Sequence, residues 1–276
     1  MPPATKTVAP EFDKEGIALY CCDCACVLPL VPRTAAVISD PPYGIGLSTD
    51  YKDRQRTALA ECNNFRPIVG DGPQVRTRRY TVRTDGPACS IPGVARNDFR
   101  EIVADGRPFD PTPLLGFEVV ALFGGNHFAD KLPASSGWIV WDKIYGLSSK
   151  REFGFNDGSD VELIWTNRPK AARILRHQWN GLLKASERGE NRVHPTQKPI
   201  ALMEQLVRML TRPGDIVFDP YMGAGATAVA CVRQGRRFIG VEIERDYFGQ
   251  AVLRVEDARG GGVMTEMKKQ FKRRRS

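Results

Sequence analysis

Ala35-Ala36-Val37-Ile38-Ser39-Asp40-Pro41-Pro42-Tyr43 is the stretch on which the reading of this chain turns. Its first half is an apolar run that reads as a short buried strand, closed by the prolines. Two successive prolines cannot extend a strand ladder, and they fix the backbone. A carboxylate, two carbonyls and a phenol ring are therefore presented together at a strand end. Such an array accepts hydrogen bonds at one edge and offers an aromatic face at the other. An exocyclic amino group on a flat nucleobase needs both, acceptors for its two N–H bonds and a ring to stack on. Standing alone, the same residues would also serve as a proline-rich turn with an aspartate cap. Asp40, Pro41, Pro42 and Tyr43 are the candidate catalytic residues.

Upstream, Ile17-Ala18-Leu19-Tyr20-Cys21 has the continuity of a strand buried on both faces. It ends at Asp23, a short helical pattern runs through Leu30, and Pro32 stops it. Strand, helix, strand is the unit that builds a parallel sheet, and ligands of such sheets collect at the strands' carboxyl ends. Downstream, Val119-Val120-Ala121-Leu122-Phe123, Trp138-Ile139-Val140-Trp141 and Val161-Glu162-Leu163-Ile164-Trp165 supply further strands. A helix is expected over 200–210, with Leu202, Leu206, Met209 and Leu210 on one face, and a last one over 246–258.

Between the strand Ile216-Val217-Phe218 and a helix of small residues lies Asp219-Pro220-Tyr221-Met222-Gly223-Ala224-Gly225-Ala226-Thr227. Missing side chains at Gly223 and Gly225 let a ligand approach the backbone and face the helix's first amides. Glu242 follows about twenty residues on, at the end of the strand 237–241, where a carboxylate can accept both hydroxyls of a ribose. These features predict a nucleoside-containing cofactor. A nicotinamide dinucleotide uses the same logic, but the third glycine of its fingerprint is missing and Asp219 would repel a pyrophosphate. A cationic amino-acid cofactor tolerates that acid, and S-adenosylmethionine carries an ammonium and a sulfonium at one end and adenosine at the other.

The 276 residues, 42% hydrophobic and 26% charged, suit one main domain. Residues 1–16 read as a loose arm, 17–259 as the catalytic domain, and 260–276 as a basic flexible tail that contributes much of the net charge of +8. From 49 to 113 the hydrophobic pattern fades, so this segment reads as an insertion. Within it residues 64–72 are echoed by 98–106, which suggests a small local duplication. Basic stretches at 76–83 and 168–192 would suit a phosphate backbone or an exposed face, and 143–192 carries the candidate target-recognition loops. His177 and Trp179 within it could stack on or bond to nucleic acid, but each singly reads rather as a residue that closes a loop onto the core. Seven cysteines include Cys21, Cys22, Cys24 and Cys26, but no second paired half with finger-like spacing, so no metal site is expected. No stretch reaches the roughly 20 apolar residues that span a bilayer, and a cytoplasmic location is expected, which the resemblance described below places in a bacterial or phage-infected cell.

Taken together, the chain resembles the beta group of DNA amino-methyltransferases, which methylate adenine N6 or cytosine N4, and especially the short phage and prophage forms. Asp40 to Tyr43 looks like that family's catalytic motif. His194-Pro195-Thr196-Gln197-Lys198-Pro199 looks like its segment closing over the cofactor's methionine end, and Asp219 to Thr227 like its cofactor loop. Catalytic motif before cofactor loop is the group's circular permutation. The resemblance implies a Rossmann-like S-adenosylmethionine-dependent methyltransferase fold, α/β, with a mostly parallel seven-stranded sheet and helices on both faces. It makes Asp23 the acid near the cofactor's adenine, Glu242 the ribose acid, and Phe218 and Asp219 the strand end beside the methionine moiety. His194, Thr196, Lys198, Tyr221, Gly223, Gly225 and Thr227 complete the cofactor set. The family commonly has Phe at 221, Ser at 224 and Thr at 226, where this chain has Tyr221, Ala224 and Ala226. The segment 49–97 exceeds what short members carry.

Asp before the prolines resembles the adenine-modifying members, so adenine N6 is the expected target in double-stranded DNA. Cytosine N4, an RNA or protein-amide substrate, and a DNA-binding module with a decayed site are the alternatives. A homodimer and a cognate restriction enzyme are further partners the resemblance admits. All of this requires Tyr43 and Gly223, far apart in the chain, to line one cleft.

Overall fold

The computed structural model describes residues 8–46, 105–145, 159–168, 170–180, 183–187, 194 and 196–261. The basic stretch 76–83, almost all of the paired segments 64–72 and 98–106, the start of the arm, the end of the tail and residues 193 and 195 lie outside the described residues.

Eleven strands are β1 (Phe12–Lys14), β2 (Ile17–Cys21), β3 (Ala36–Ser39), β4 (Val119–Phe123), β5 (Trp138–Asp142), β6 (Val161–Thr166), β7 (Arg173–Arg176), β8 (Trp179–Asn180), β9 (Leu183–Lys184), β10 (Ile216–Asp219) and β11 (Arg237–Glu242). The helices are α1 (Cys24–Val27), α2 (Ile200–Leu210), α3 (Ala226–Gln234) and α4 (Arg245–Glu256). Nine strands form one sheet in the order β1-β2-β11-β10-β3-β4-β6-β5-β7, and β8 and β9 make a separate hairpin.

From β2 to β4 the strands run parallel. β6 then pairs antiparallel with β4 and β5, β7 returns parallel to β5, and β1 is antiparallel to β2. The expected seven strands form the middle of this mixed sheet, and β1 and β7 extend its edges. Phe12–Lys14, expected in a loose arm, is thus an edge strand, with Phe12 buried and Asp13 and Lys14 exposed. Val161–Thr166 and Arg173–Arg176, inside the expected recognition segment, are likewise part of the sheet.

Alternation along the central strands sends neighbouring side chains to opposite faces. Ile38, Ala121, Phe123, Val217 and Phe238 join the core under α2, α3 and α4. Val37, Val120, Leu122, Phe218 and Val241 join a second core on the other face. Helices lie on both faces, as expected: among the described residues α2, α3 and α4 pack on one, and α1 with turns carrying Phe109, Leu114 and Phe117 covers the other. The last residues of the expected insertion therefore belong to the core, because Phe109 is buried there. Among the described residues no helix is long and apolar enough to cross a membrane.

β10 and β3 lie side by side and parallel. The chain leaves β10 towards β11 on one side and leaves β3 towards β4 on the other. Connections diverging from adjacent carboxyl ends open a crevice, the usual ligand position in such sheets. Phe218, one of the expected cofactor residues, points away from that crevice: its ring is fully buried, 5.8 Å from that of Phe117. Phe218→Ala is expected to cost about 3–5 kcal/mol in urea unfolding, the usual penalty for a large buried aromatic. A cost below 1 kcal/mol would contradict this packing role.

Candidate active site

The crevice is a cleft of about 890 Å³. Asp40, Pro41, Pro42 and Tyr43 line it from the end of β3, and Asp219, Tyr221, Gly223 and Thr227 from the loop after β10. Asp23, His194, Thr196, Lys198 and Glu242 line it too. Tyr43 and Gly223 therefore share one cavity, as the sequence reading requires.

Asp40 is held at both carboxylate oxygens. Tyr43 donates its hydroxyl to Oδ1 at 2.6 Å, and Lys198 donates Nζ to Oδ2 at 2.5 Å. Burial pushes the Asp40 carboxyl above the usual aspartate range, and the Lys198 ammonium pulls against it. Burial and then the Asp40 charge raise the Tyr43 phenol, which keeps it a proton donor. The ring of Tyr43 stacks on His127 at 4.8 Å between centroids and 15° between planes. Gly124 permits this placement, because its φ is +68° and a Cβ there would overlap the Tyr43 ring.

Lys198 also lies 3.3 Å from Glu162 Oε2, an ion pair without the geometry of a directed hydrogen bond, and its Nζ lies 5.0 Å from the centre of the Phe123 ring. Glu162 in turn accepts from Lys143 at 3.3 Å. Burial works against Glu162, but the two ammonium groups outweigh it and hold its carboxyl below the ordinary range. Burial also works against Lys198, and the two carboxylates outweigh it, so the ammonium stays charged.

On the side of the loop after β10, Asp219 is buried and accepts three hydrogen bonds, from Ser39 Oγ at 2.6 Å, Thr227 Oγ1 at 2.7 Å and the Tyr221 N–H at 3.2 Å. Burial raises its carboxyl to about 6 although the two hydroxyls pull it back. Glu242 accepts from the Glu244 N–H at 2.7 Å, and burial raises its carboxyl. His194 lies edge-on to Tyr247 at 4.3 Å, and burial, then Lys198 and Arg254, lower its pKa to about 4. Its Nδ1 accepts from the Thr196 N–H at 3.3 Å, which assigns the ring proton to Nε2. Asp23 caps α1 through Ala25 N–H at 2.8 Å, and Tyr221 accepts a weak bond from the Cys24 thiol at 3.6 Å.

Gly225, expected at the cofactor, serves packing instead. It does not line the cleft; it precedes α3 with φ +76°, and a Cβ would meet the Ala251 Cβ of α4 at 2.9 Å. His177 and Trp179 are both buried, the His177 carbonyl accepts the Trp141 indole N–H at 2.9 Å, and Trp179 also lines the cleft.

Sequence reasoning missed Glu162, Lys143, His127, Arg254 and Glu187. Arg254 donates to the Ala224 carbonyl at 2.7 Å and pairs with Glu187 at 3.4 Å. Glu187 also accepts the Ile200 N–H at 3.0 Å, tying the β8–β9 region to the start of α2. Only Glu162 carried a signal, a lone carboxylate inside an apolar strand.

Fold and site together define an α/β cleft with the Gly223 loop on one side and a clamped carboxylate on the other. Sequence comparison refines this. Residues 157–253 match the family model described as DNA methylase, that of the N6 and N4 enzymes. The Type II methyltransferase M2.DpnII of Streptococcus pneumoniae is 37% identical over 128 residues, 44% of this chain and 42% of that protein. M2.LlaDCHI of Lactococcus lactis subsp. cremoris is 35% identical over 127 residues, with the same shares of 44% and 42%. The matched part of the chain thus spans about two fifths of the length of these curated relatives. Among solved structures, the M1.HpyAVI–SAM complex gives a TM-score of 0.47 at 22% identity, covering 87% of this chain and 98% of that one. The PvuII DNA methyltransferase (cytosine-N4-specific) gives 0.49 at 15% identity, covering 94% and 96%.

Two outcomes check the loop. Gly225→Ala is expected to destabilise by about 1–3 kcal/mol, from backbone strain and overpacking. Adding Ala251→Gly should reveal a coupling of at least about 0.5 kcal/mol in a double-mutant cycle, and strict additivity would remove the packing role. Native Asp219 holds its proton to about 6 and the unfolded side chain to about 3.8. In that window the native state binds more protons, so the Asp219 contribution to stability falls as pH rises from about 4 to about 6. Urea midpoints for Asp219→Asn should lose this slope, and an unchanged slope would contradict the assignment.

Proposed function

We propose that this protein is an S-adenosylmethionine-dependent DNA methyltransferase acting on the N6 amino group of adenine. The observation that carries the reading is the single cleft in which the Asp40–Tyr43 turn faces the Gly223 loop, with the Ser39 hydroxyl bonded to Asp219 between them.

The pocket suits the cofactor by its own chemistry. A Cβ on Gly223 would sit 3.4 Å from His194 Nε2, so the absent side chain leaves a cradle beside that nitrogen. Glu242 offers carboxylate acceptors for ribose hydroxyls from the end of β11, and His194 offers Nε2–H to a carboxylate. Asp23, Thr196, Tyr221 and Thr227 line the same side. When bound, S-adenosylmethionine supplies an electrophilic methyl group on its sulfonium.

An exocyclic amine is a poor nucleophile because its lone pair is delocalised into the ring. Each Asp40 oxygen spends one lone pair on Tyr43 or Lys198 and keeps another for an amine hydrogen. Asp40 and the Pro41 carbonyl accept those hydrogens and favour the tetrahedral nitrogen that develops during attack, so they stabilise the transition state more than the ground state. Tyr43 offers stacking worth about 1–3 kcal/mol to a base flipped out of the duplex. No covalent enzyme intermediate is needed, so no cysteine serves as nucleophile. A cleft of 890 Å³ lies at the upper end for ligand sites, which suits cofactor and base together.

Double-stranded DNA is the partner this reading requires. The exposed Arg173 and Arg176 of β7 fit a phosphate backbone, and the 143–192 segment is the region proposed to read the target. A homodimer and a cognate restriction enzyme are consistent additions. Cytosine N4 remains the alternative base. The decayed reading is disfavoured by the Asp40 clamp, and by Thr227 and Ala224, which keep bonds in the altered loop.

Tritiated-methyl transfer should label DNA, not RNA or protein, and the label should be N6-methyladenine. Asp40→Ala should lower transfer by at least about a thousandfold while cofactor affinity stays within a few-fold. DNA binding without turnover by the wild type would favour the decayed module, and a near wild-type rate in Asp40→Ala would end the catalytic assignment.

A further inference from the structure

Lys198 lies between two carboxylates from separate parts of the sheet, Asp40 after β3 at 2.5 Å and Glu162 in β6 at 3.3 Å. Lys143 lies 3.3 Å from the other oxygen of Glu162. The four side chains form a row of alternating sign, Lys143, Glu162, Lys198 and Asp40. Lys198 and Asp40 would neutralise each other without help, so charge balance does not require Glu162. A carboxylate on an otherwise apolar strand is costly unless it is paired, and Glu162 has its own counterion in Lys143.

We propose that Glu162 is a positioning residue for methyl transfer: through Lys198 it fixes the Asp40 carboxylate at the edge of the cleft where the amine docks. This rests on the methyltransferase reading. An ammonium on a flexible four-carbon stem swings with a single partner. Here Asp40, Glu162 and the Phe123 ring hold it together. Asp40 Oδ2 is thereby anchored, Tyr43 anchors Oδ1, and the carboxylate plane is set by two donors on separate supports. The charged and titratable groups facing Asp40 are Lys198, Glu162, Tyr43 from its own turn and Asp219 from β10. Lys143 acts on it through Glu162, and His194 is faced by Lys198 and Arg254.

The test is single-turnover methyl transfer to DNA against pH, with cofactor affinity and thermal stability measured alongside. Activity requires ionised Asp40, so the acid limb follows that group. Glu162→Gln removes a negative neighbour, stabilises the Asp40 anion and should move the acid limb to lower pH. The plateau rate should fall about tenfold through lost positioning, with cofactor affinity unchanged. Lys198→Met removes the ammonium and should move the limb to higher pH, with a fall of about a hundredfold. If Lys198→Met does not fold, Lys143→Met is read instead and should move the limb in the same direction by less. A role confined to packing lowers the rate and leaves the limb in place. An active wild type whose Glu162→Gln variant keeps either its plateau rate or its limb overturns this inference alone. A wild type that methylates none of DNA, RNA or protein overturns the methyltransferase reading and this inference with it.

Discussion

The buried carboxylate of Asp219 is the constraint on which the rest of the molecule depends. It accepts from Ser39 at the end of β3, from Thr227 in α3 and from the backbone of its own turn. A buried acid in that position is costly unless its lone pairs are met, and here hydroxyls from two other elements meet them. The bond to Ser39 joins the two strand ends whose connections part company, and the residue after Ser39 is Asp40. One hydrogen bond thus sets the distance between the glycine loop and the clamped carboxylate. Its Oδ1 takes two of these bonds and its Oδ2 one, so Asp219 holds the walls of the pocket and keeps an acceptor site on Oδ2.

Much of this arrangement was legible because it rests on local rules. Continuous apolar runs marked β2, β3, β4 and β10 as strands buried on both faces, and prolines and glycines marked where they stop. What was not legible depends on non-local packing. Phe218 and Asp219 are neighbours on a strand end, and period-two alternation sends the first into the far core and the second to the crevice. Gly225 resembles Gly223 in the sequence, yet Ala251 of α4 decides that it is a packing glycine. The second face is covered in part by the chain entering β4, a segment whose faded hydrophobic pattern concealed Phe109, Leu114 and Phe117. Glu162 and Lys143 belong to β6 and to the turn after β5, and no spacing rule links them to Lys198.

The segment holding His194, Thr196 and Lys198 meets both halves of the cleft. Lys198 grips the carboxylate after β3, while His194 stands over Gly223 and against Tyr247 of α4. Arg254 and Glu187 brace the same neighbourhood from behind, with Glu187 held at a φ of +52°, a conformation that costs energy away from glycine and persists because its partners fix it. A polar, proline-bounded stretch of this kind looks like a linker until its partners are known.

The pairing of Ile17 with Phe238 and of Val217 with Ala36 has a consequence for how the molecule is made. A ribosome delivers β2 and β3 well before their central neighbours β10 and β11. Until these emerge, two apolar strands wait with open edges on that side, and closing the sheet carries the slow kinetics of high contact order. Over that interval the nascent chain is exposed to aggregation, so its yield depends on chaperone capacity more than the finished sheet would suggest.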